Sequence, residues 1–434
     1  MPRSLLFLAA FLFLATPRPG GAGDLDFEPG PLRRDTLLRL VLERNPGIET
    51  ARQAWRASLE EGAQVSALED PRLSNAIAPS SIAADVRFGD VFAISQRFPY
   101  PGKLRLRGEV ARAESEAAGY QVEIVRLELA TLASVLFDDY YYVHRALAIN
   151  REHIELLQDF KRIAIARYEA GTASQQDPIQ AEVELARLDH RRVVLESTRD
   201  VLAARMNALL HRSPAEPIPP PPGTLEDPPS LPGDSEELQR LALDARPELR
   251  VQDAAIRARR FEVELREKDL RPDFEVATSW NSMWNTEEHR WTVGASINLP
   301  VRTRRVRAGI AQSEARVRSA ESARLRLEDD VRSEVQQAWT RAVESRHVVE
   351  LHRSRLLPAA NDQVQAALSG FRTGRNSFLA VIEAERNQRT TELAYQRSLS
   401  ELHQRLAGLD RALGRMPGGQ GDVPKRTAAT GGRP

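Results

Sequence analysis

Two periodicities divide this chain. Across Val122, Val125, Leu129, Leu132, Leu136, Tyr140, Val143 and Leu147 the apolar residues step by three or four. That is the seam of a helix packed in coiled-coil fashion. Leu188, Leu195, Leu202 and Leu209 step by seven, the pattern of a helix returning along the first. Arginine and glutamate fill the other faces. The spacing predicts long helices over 103–167 and 302–368, each about 100 Å long at about 1.5 Å per residue. Mean globular helices have about 11–12 residues, so this is a rod. Shorter helices are expected before them, at 36–69 and 235–270, and last helices after them, at 178–211 and 377–413. Pro46 and Pro247 mark a break or a late start within the first helix of each set.

The second periodicity has a period of two. Trp291, Val293, Ala295, Ile297 and Leu299 alternate with the small or polar Thr292, Gly294, Ser296 and Asn298. Phe274, Val276 and Trp280 alternate with Asp273, Glu275, Ser279 and Asn281, and Phe92, Ile94 and Phe98 with Ser95 and Arg97. Strands with one apolar face are therefore expected within 71–98 and 272–299, two in each region. Their length suits tilted membrane strands, although a half-buried soluble sheet alternates in the same way. Phe98, Tyr100, Trp280, Trp284 and Trp291 stand towards the strand ends, where a membrane-interface girdle would lie. The intervening loops, 78–87 and 285–288, are expected to face outside the cell.

The chain is internally duplicated. Asn45-Pro46 matches Arg246-Pro247 at an offset of 201, as do Pro71 and Pro272, Pro99 and Pro300, and Gly108 and Gly309. Further on the offset becomes 203, pairing Tyr168, Gly171 and Ser174 with Phe371, Gly374 and Ser377. The expected organisation is a signal peptide at 1–23, a first repeat at 24–212, a proline-rich linker at 213–234, a second repeat at 235–414 and a flexible tail at 415–434. The leader rests on Arg3, the apolar run from Leu5 to Ala15, and small residues at Gly21, Ala22 and Gly23. Its apolar run is too short to span a bilayer.

Composition removes other classes. Of 434 residues, 61 are basic and 61 acidic, for a net charge of zero. That speaks against a nucleic-acid-coating protein. With no cysteine there is no disulfide framework, thiolate metal site or lipidated N-terminal cysteine. Four strands cannot close a barrel, and an open edge cannot sit in lipid. A membrane sheet would need several chains, each supplying four strands. The fold expected is mainly α with a small β part.

Phe98-Pro99-Tyr100-Pro101-Gly102-Lys103 and Leu299-Pro300-Val301 stand at the strand-to-helix passages. The turns are Tyr168-Glu169-Ala170-Gly171-Thr172-Ala173-Ser174 with Asp177, and Gly370-Phe371-Arg372-Thr373-Gly374-Arg375-Asn376-Ser377. With these motifs, in order from about residue 36 to 414, the sequence resembles the TolC-like outer-membrane efflux protein family. The resemblance implies a homotrimer with a 12-stranded β-barrel in the outer membrane and an α-helical tunnel across the periplasm. It implies a passive conduit serving an inner-membrane efflux pump through a periplasmic adaptor protein, with metal ions the mildly preferred cargo. The turns at 168–177 and 370–383 would be the tunnel tips and adaptor contact, carried by Tyr168, Gly171, Ser174, Asp177, Phe371, Gly374 and Ser377. Relatives carry acids six and nine places after the second tip glycine. Here those are Ala380 and Glu383, leaving Glu383 as the candidate entrance ring. The competing reading is a soluble periplasmic coiled-coil adaptor or scaffold.

Catalytic chemistry is not legible. No His-Glu-x-x-His or Gly-x-Ser-x-Gly occurs, and His347 and His352 are five apart, the wrong spacing for one helical face. No cofactor is expected. Asp138-Asp139 reads as a polar helix face. Lys103, Arg105 and Arg107, with Arg302, Arg304, Arg305 and Arg307, form basic clusters suited to lipid headgroups or solvent.

Overall fold

The computed structural model describes residues 27, 30–78, 89–225, 227–228, 231, 233–284 and 287–418. The proposed leader, most of the tail, and most of the 78–87 loop lie outside the described residues. Helices α1 (Arg34–Arg44) and α2 (Pro46–Ser66) lead to strands β1 (Arg72–Ala78) and β2 (Gly89–Phe98). The hairpin of α3 (Lys103–Glu169) and α4 (Gln176–Leu209) follows. The second half repeats the order: α5 (Ser235–Ala245), α6 (Pro247–Glu267), β3 (Phe274–Asn281), β4 (Trp291–Ile297), α7 (Thr303–Leu351), α8 (Leu357–Arg372) and α9 (Phe378–Ala412).

The breaks at Pro46 and Pro247 have a local cause. A residue before proline is pushed out of helical geometry, and Asn45 and Arg246 are both extended, with ψ of 121°. Proline then occupies the first position of the next helix, where its missing N–H is harmless. The Asn45 side chain accepts a hydrogen bond from the Gly47 N–H at 2.9 Å.

One expectation is corrected. The first long helix is unbroken over 67 residues, but the second is interrupted by a π-helical turn at His352–Leu356. Pro358 follows, and proline removes a helical N–H and crowds the carbonyl four residues earlier. A wide turn relieves both effects. The change of repeat offset falls between the glycines that bracket this turn: Gly108 to Gly171 is 63 residues, whereas Gly309 to Gly374 is 65.

Three clusters hold the rod. α1 packs with the middle of α3 and the end of α4 through Leu37, Val41, Phe137, Tyr140 and Met206. α5, α6, α7 and α9 meet around Leu238, Val335 and Leu409. The hairpin ends share Leu157, Phe160, Phe371, Phe378 and Ile382. The predicted seam of α3 holds except at Leu132, which is 46% exposed. Ala130, Ala133 and Phe137 are buried instead, because α3 is flanked by α1, α2, α4, α6 and α9 and not by a single partner.

Helix ends follow the repeat. α9 ends on Gly414 with φ 71°, and the Arg415 N–H reaches the Asp410 carbonyl at 2.8 Å. The matching turn after α4 has the same bond, from Arg212 N–H to the Asn207 carbonyl at 2.9 Å, but His211 sits in the left-handed region at φ 54°. A side chain there costs about 1–2 kcal/mol. His211→Gly is therefore expected to raise the thermal midpoint of the detergent-solubilised protein slightly. A fall would show that the imidazole makes a compensating contact.

Candidate membrane sheet and hairpin tips

The four strands form one antiparallel sheet in the order β1-β2-β3-β4. Its register places Ile94 beside Leu73 and Thr278, Phe98 beside Phe274, and Trp280 between Phe92 and Trp291. Paired residues share a face. One face therefore gathers Leu73, Ile77, Phe92, Ile94, Val276 and Val293 with the aromatic ends, interspersed with Asn75, Gln96 and Thr278. The other carries mostly small residues, Ser74, Ala93, Ser95, Ala277, Ser279, Thr292, Gly294 and Ser296, with Val91 and, at the helix end, Arg97 and Glu275. The apolar face is bare: Leu73 is 73% exposed, Trp291 67% and Val293 82%. Among the described residues, the outer edges of β1 and β4 have no partner strand.

The expected girdle residues separate into two levels. Trp280 and Trp291 pair across strands at the loop end, where the Phe92 and Trp280 ring centroids are 6.2 Å apart. Trp284 is exposed just past β3. Phe98 and Phe274 pair at the helix end, with Tyr100 half-buried two residues on. Six residue steps from Phe274 to Trp280 span about 20 Å along the strand, or about 15 Å of height at a barrel tilt of about 40°, which falls within the apolar band of about 25 Å on a membrane barrel.

The basic clusters differ from their shared sequence reading. Lys103 is buried, and its ammonium lies 3.1 Å from Asp269 and 3.0 Å from Asp273. Asp273 also accepts from Arg97 at 2.9 Å and from the Tyr100 N–H at 2.9 Å. Lys103 thus locks β2, β3 and α3 together and is not a headgroup contact. Arg302, Arg304, Arg305 and Arg307 are exposed.

At the tips, two matching turns reverse the chain. After α3, Gly171 takes φ 69°, its N–H meets the Tyr168 carbonyl at 2.9 Å, and the Thr172 N–H meets the Arg167 carbonyl at 2.9 Å. After α8, Gly374 takes φ 76°, and the equivalent bonds run to Phe371 at 3.0 Å and from Arg375 to Gly370 at 2.8 Å. This is the Schellman arrangement that satisfies terminal carbonyls. Ser377 caps α9 by accepting from the Ala380 N–H at 3.4 Å, and its match Ser174 accepts from the Gln176 N–H at 3.2 Å. Tyr168, Gly171, Ser174, Gly374 and Ser377 are exposed, and Asp177 is half-buried. Phe371 is not outward: it is 3% exposed, stacks with Phe378 at 5.4 Å, and lies under the Arg167 guanidinium at 4.5 Å. It joins the two tips from within.

Sequence reasoning missed a polar seam between α3 and α9. Asp138, expected on a polar face, is fully buried against Arg34, and burial pushes its carboxyl up to about 7 despite that cation. Nearer the tips, buried His153 bridges Glu385 at 2.8 Å and Glu392 at 3.0 Å. Burial opposes its charge, but the two carboxylates prevail and raise its pKa to about 9. Neither group could be found by period, since both lie where an apolar residue would fit. Glu383 is exposed and has no salt bridge among the described residues, while neighbouring Arg386 is held by Glu184 at 3.1 Å. No group of three or more His, Cys, Asp or Glu residues among the described residues is arranged to hold a metal.

Residues 238–415 match the family described as outer membrane efflux protein. The outer-membrane channel OprN is 20% identical, with a TM-score of 0.73, covering 88% of this chain and 89% of that one. The Vibrio cholerae outer membrane protein VceC is 14% identical, with a TM-score of 0.73 and coverages of 88% and 96%. The Neisseria gonorrhoeae MtrE outer membrane channel is 18% identical, with a TM-score of 0.72 and coverages of 88% and 89%. No curated protein sequence is significantly similar to the chain. Residues 238–415 are thus similar by sequence to this family, and 88% of the chain shares the fold of these outer-membrane channels.

Proposed function

We propose that the chain is the outer-membrane duct of a tripartite efflux system. Three copies would join their sheets edge to edge as a 12-stranded barrel and their helices as a periplasmic tunnel. The observation that carries this is the sheet with one bare apolar face, one small polar face and two open edges. In water such a face would aggregate; in lipid it is the outer wall, and closure removes the edges. The small residues of the other face leave room for a lumen. The strand-to-helix junctions then lie on the periplasmic side, with the hairpin tips towards an adaptor and an inner-membrane pump. If metal ions are the cargo, they pass without a thiolate relay, since the chain has no cysteine. Fractionation tests the reading: the protein should appear in the detergent-extracted outer membrane. Recovery in the soluble periplasm would favour the scaffold.

Glu383 supports a finer element of this reading. It is exposed beside the tip, and Arg386 is already engaged by Glu184. Three copies around an axis would form an acidic mouth that attracts cations. In bilayer recordings Glu383→Gln is expected to weaken cation preference and block by multivalent cations. Unchanged selectivity and block in a conducting channel would make Glu383 ordinary surface.

A further inference from the structure

The two strand-to-helix passages are repeat mates that treat their cations in opposite ways. At the first, the Lys103 ammonium is buried between Asp269 at 3.1 Å and Asp273 at 3.0 Å. At the offset of 201 its mate is Arg304, and the mates of the two acids are Leu68 and Arg72. No carboxylate therefore stands at the matching place for Arg304, and α7 has no acid in its first turn. Arg302, Arg304, Arg305 and Arg307 are all exposed and make no ion pair among the described residues.

The repeat also separates these four arginines into two pairs. Lys103 and Leu106, the mates of Arg304 and Arg307, are buried. Pro101 and Leu104, the mates of Arg302 and Arg305, are exposed and half-buried. Arg302 and Arg305 thus stand on the side that α3 keeps open even with α2 and α6 packed along it. Arg302 is the residue that precedes α7 and Arg305 is three further on, positions whose side chains lie side by side at a helix start. Two adjacent guanidinium groups suit the oxygens of one phosphate, which arginine grips bidentately.

What precedes the pair is apolar. Ile297 pairs with Phe274 on the bare face of the sheet. Ile297, Leu299 and Val301 are 53%, 61% and 81% exposed, and Val301 is the repeat mate of the girdle residue Tyr100. We infer that Arg302 and Arg305 bind the phosphate of an anionic phospholipid in the leaflet at the helix end of the sheet, with Leu299 and Val301 against its acyl chain. The inference rests on the membrane reading above. An exposed aliphatic run leading into two unneutralised arginines matches both parts of such a lipid. A soluble anion would engage the arginines and leave the aliphatic run in water. The first passage has no equivalent pair, so each chain carries one such site.

Lipid titration of the detergent-solubilised protein, read by native mass spectrometry, tests this. Wild type should retain phosphatidylglycerol in preference to phosphatidylcholine by about tenfold or more, since each arginine near an anionic surface contributes about 1 kcal/mol. Arg302→Gln with Arg305→Gln should lose that preference. Arg302→Lys with Arg305→Lys should keep only part of it, because lysine makes no bidentate phosphate contact. Arg304→Gln with Arg307→Gln should keep it whole. An undiminished preference in the Arg302→Gln, Arg305→Gln protein overturns the site. Displacement of the lipid by excess inorganic phosphate overturns the lipid as its occupant. Wild-type protein that inserts in the outer membrane but shows no preference between the two lipids overturns the site and leaves the duct standing. Recovery in the soluble periplasm overturns both.

Discussion

Val293→Arg is expected to abolish insertion of the protein into membrane, with the chain recovered as aggregate. Val293 lies at the centre of β4, is 82% exposed, and shares its face with Thr278 and Ile94 through the register. In lipid, arginine near the midplane of a barrel's outer wall costs about 2–4 kcal/mol. Three copies incur it together, so the assembled barrel loses about 6–12 kcal/mol, comparable to the whole stability of a domain. Thr292→Arg is the control. It sits one residue away on the small polar face, beside Ser279, and should insert while changing conductance. Equal recovery of both variants in outer-membrane fractions would show that the apolar face does not meet lipid.

The second large effect concerns the buried seam near the tips. His153→Ala removes the cation between Glu385 and Glu392, leaving Glu385 fully buried with only Arg389 at 3.2 Å. Breaking a buried pair from one side typically costs about 3–5 kcal/mol. The pH dependence has a definite sign. The folded pKa of about 9 lies above the ordinary histidine value. The contribution is therefore complete below about pH 6.5 and is lost as pH rises through about 9. The thermal midpoint of the wild type should fall across that window, and that of His153→Ala should fall less. Comparing the two separates His153 from Asp138, which is common to both. Identical slopes would mean that His153 is neutral in the folded protein.

Period and repetition carried most of the architecture. The strand at Phe274–Asn281 is legible because alternation is a local property of a half-buried strand. The breaks before Pro46 and Pro247 are legible because proline acts on its immediate neighbour. The tips are legible because glycine stands where the backbone needs positive φ. The π turn at His352–Leu356 is not, since Pro358 in a helical pattern signals a disturbance but not its form. Nor could period reveal that Phe371 joins the tips, that Lys103 is buried beneath the sheet, or that Asp138 and His153 are core residues. Each depends on a partner more than a hundred residues away: Arg167, Asp273, Arg34 or Glu385. The repeat recovers part of this long-range information, because a contact seen in one half has a counterpart to be sought in the other.

The most direct test of the membrane sheet is a spin-label scan along β4 after reconstitution into vesicles, one cysteine at a time in this cysteine-free chain. Labels at Trp291, Val293, Ala295 and Ile297 should collide with oxygen dissolved in lipid and be shielded from a water-soluble nickel reagent. Labels at Thr292, Gly294 and Ser296 should show the reverse, because they face the lumen. Access of the nickel reagent at all seven positions would contradict the duct and leave a soluble sheet on a helical rod.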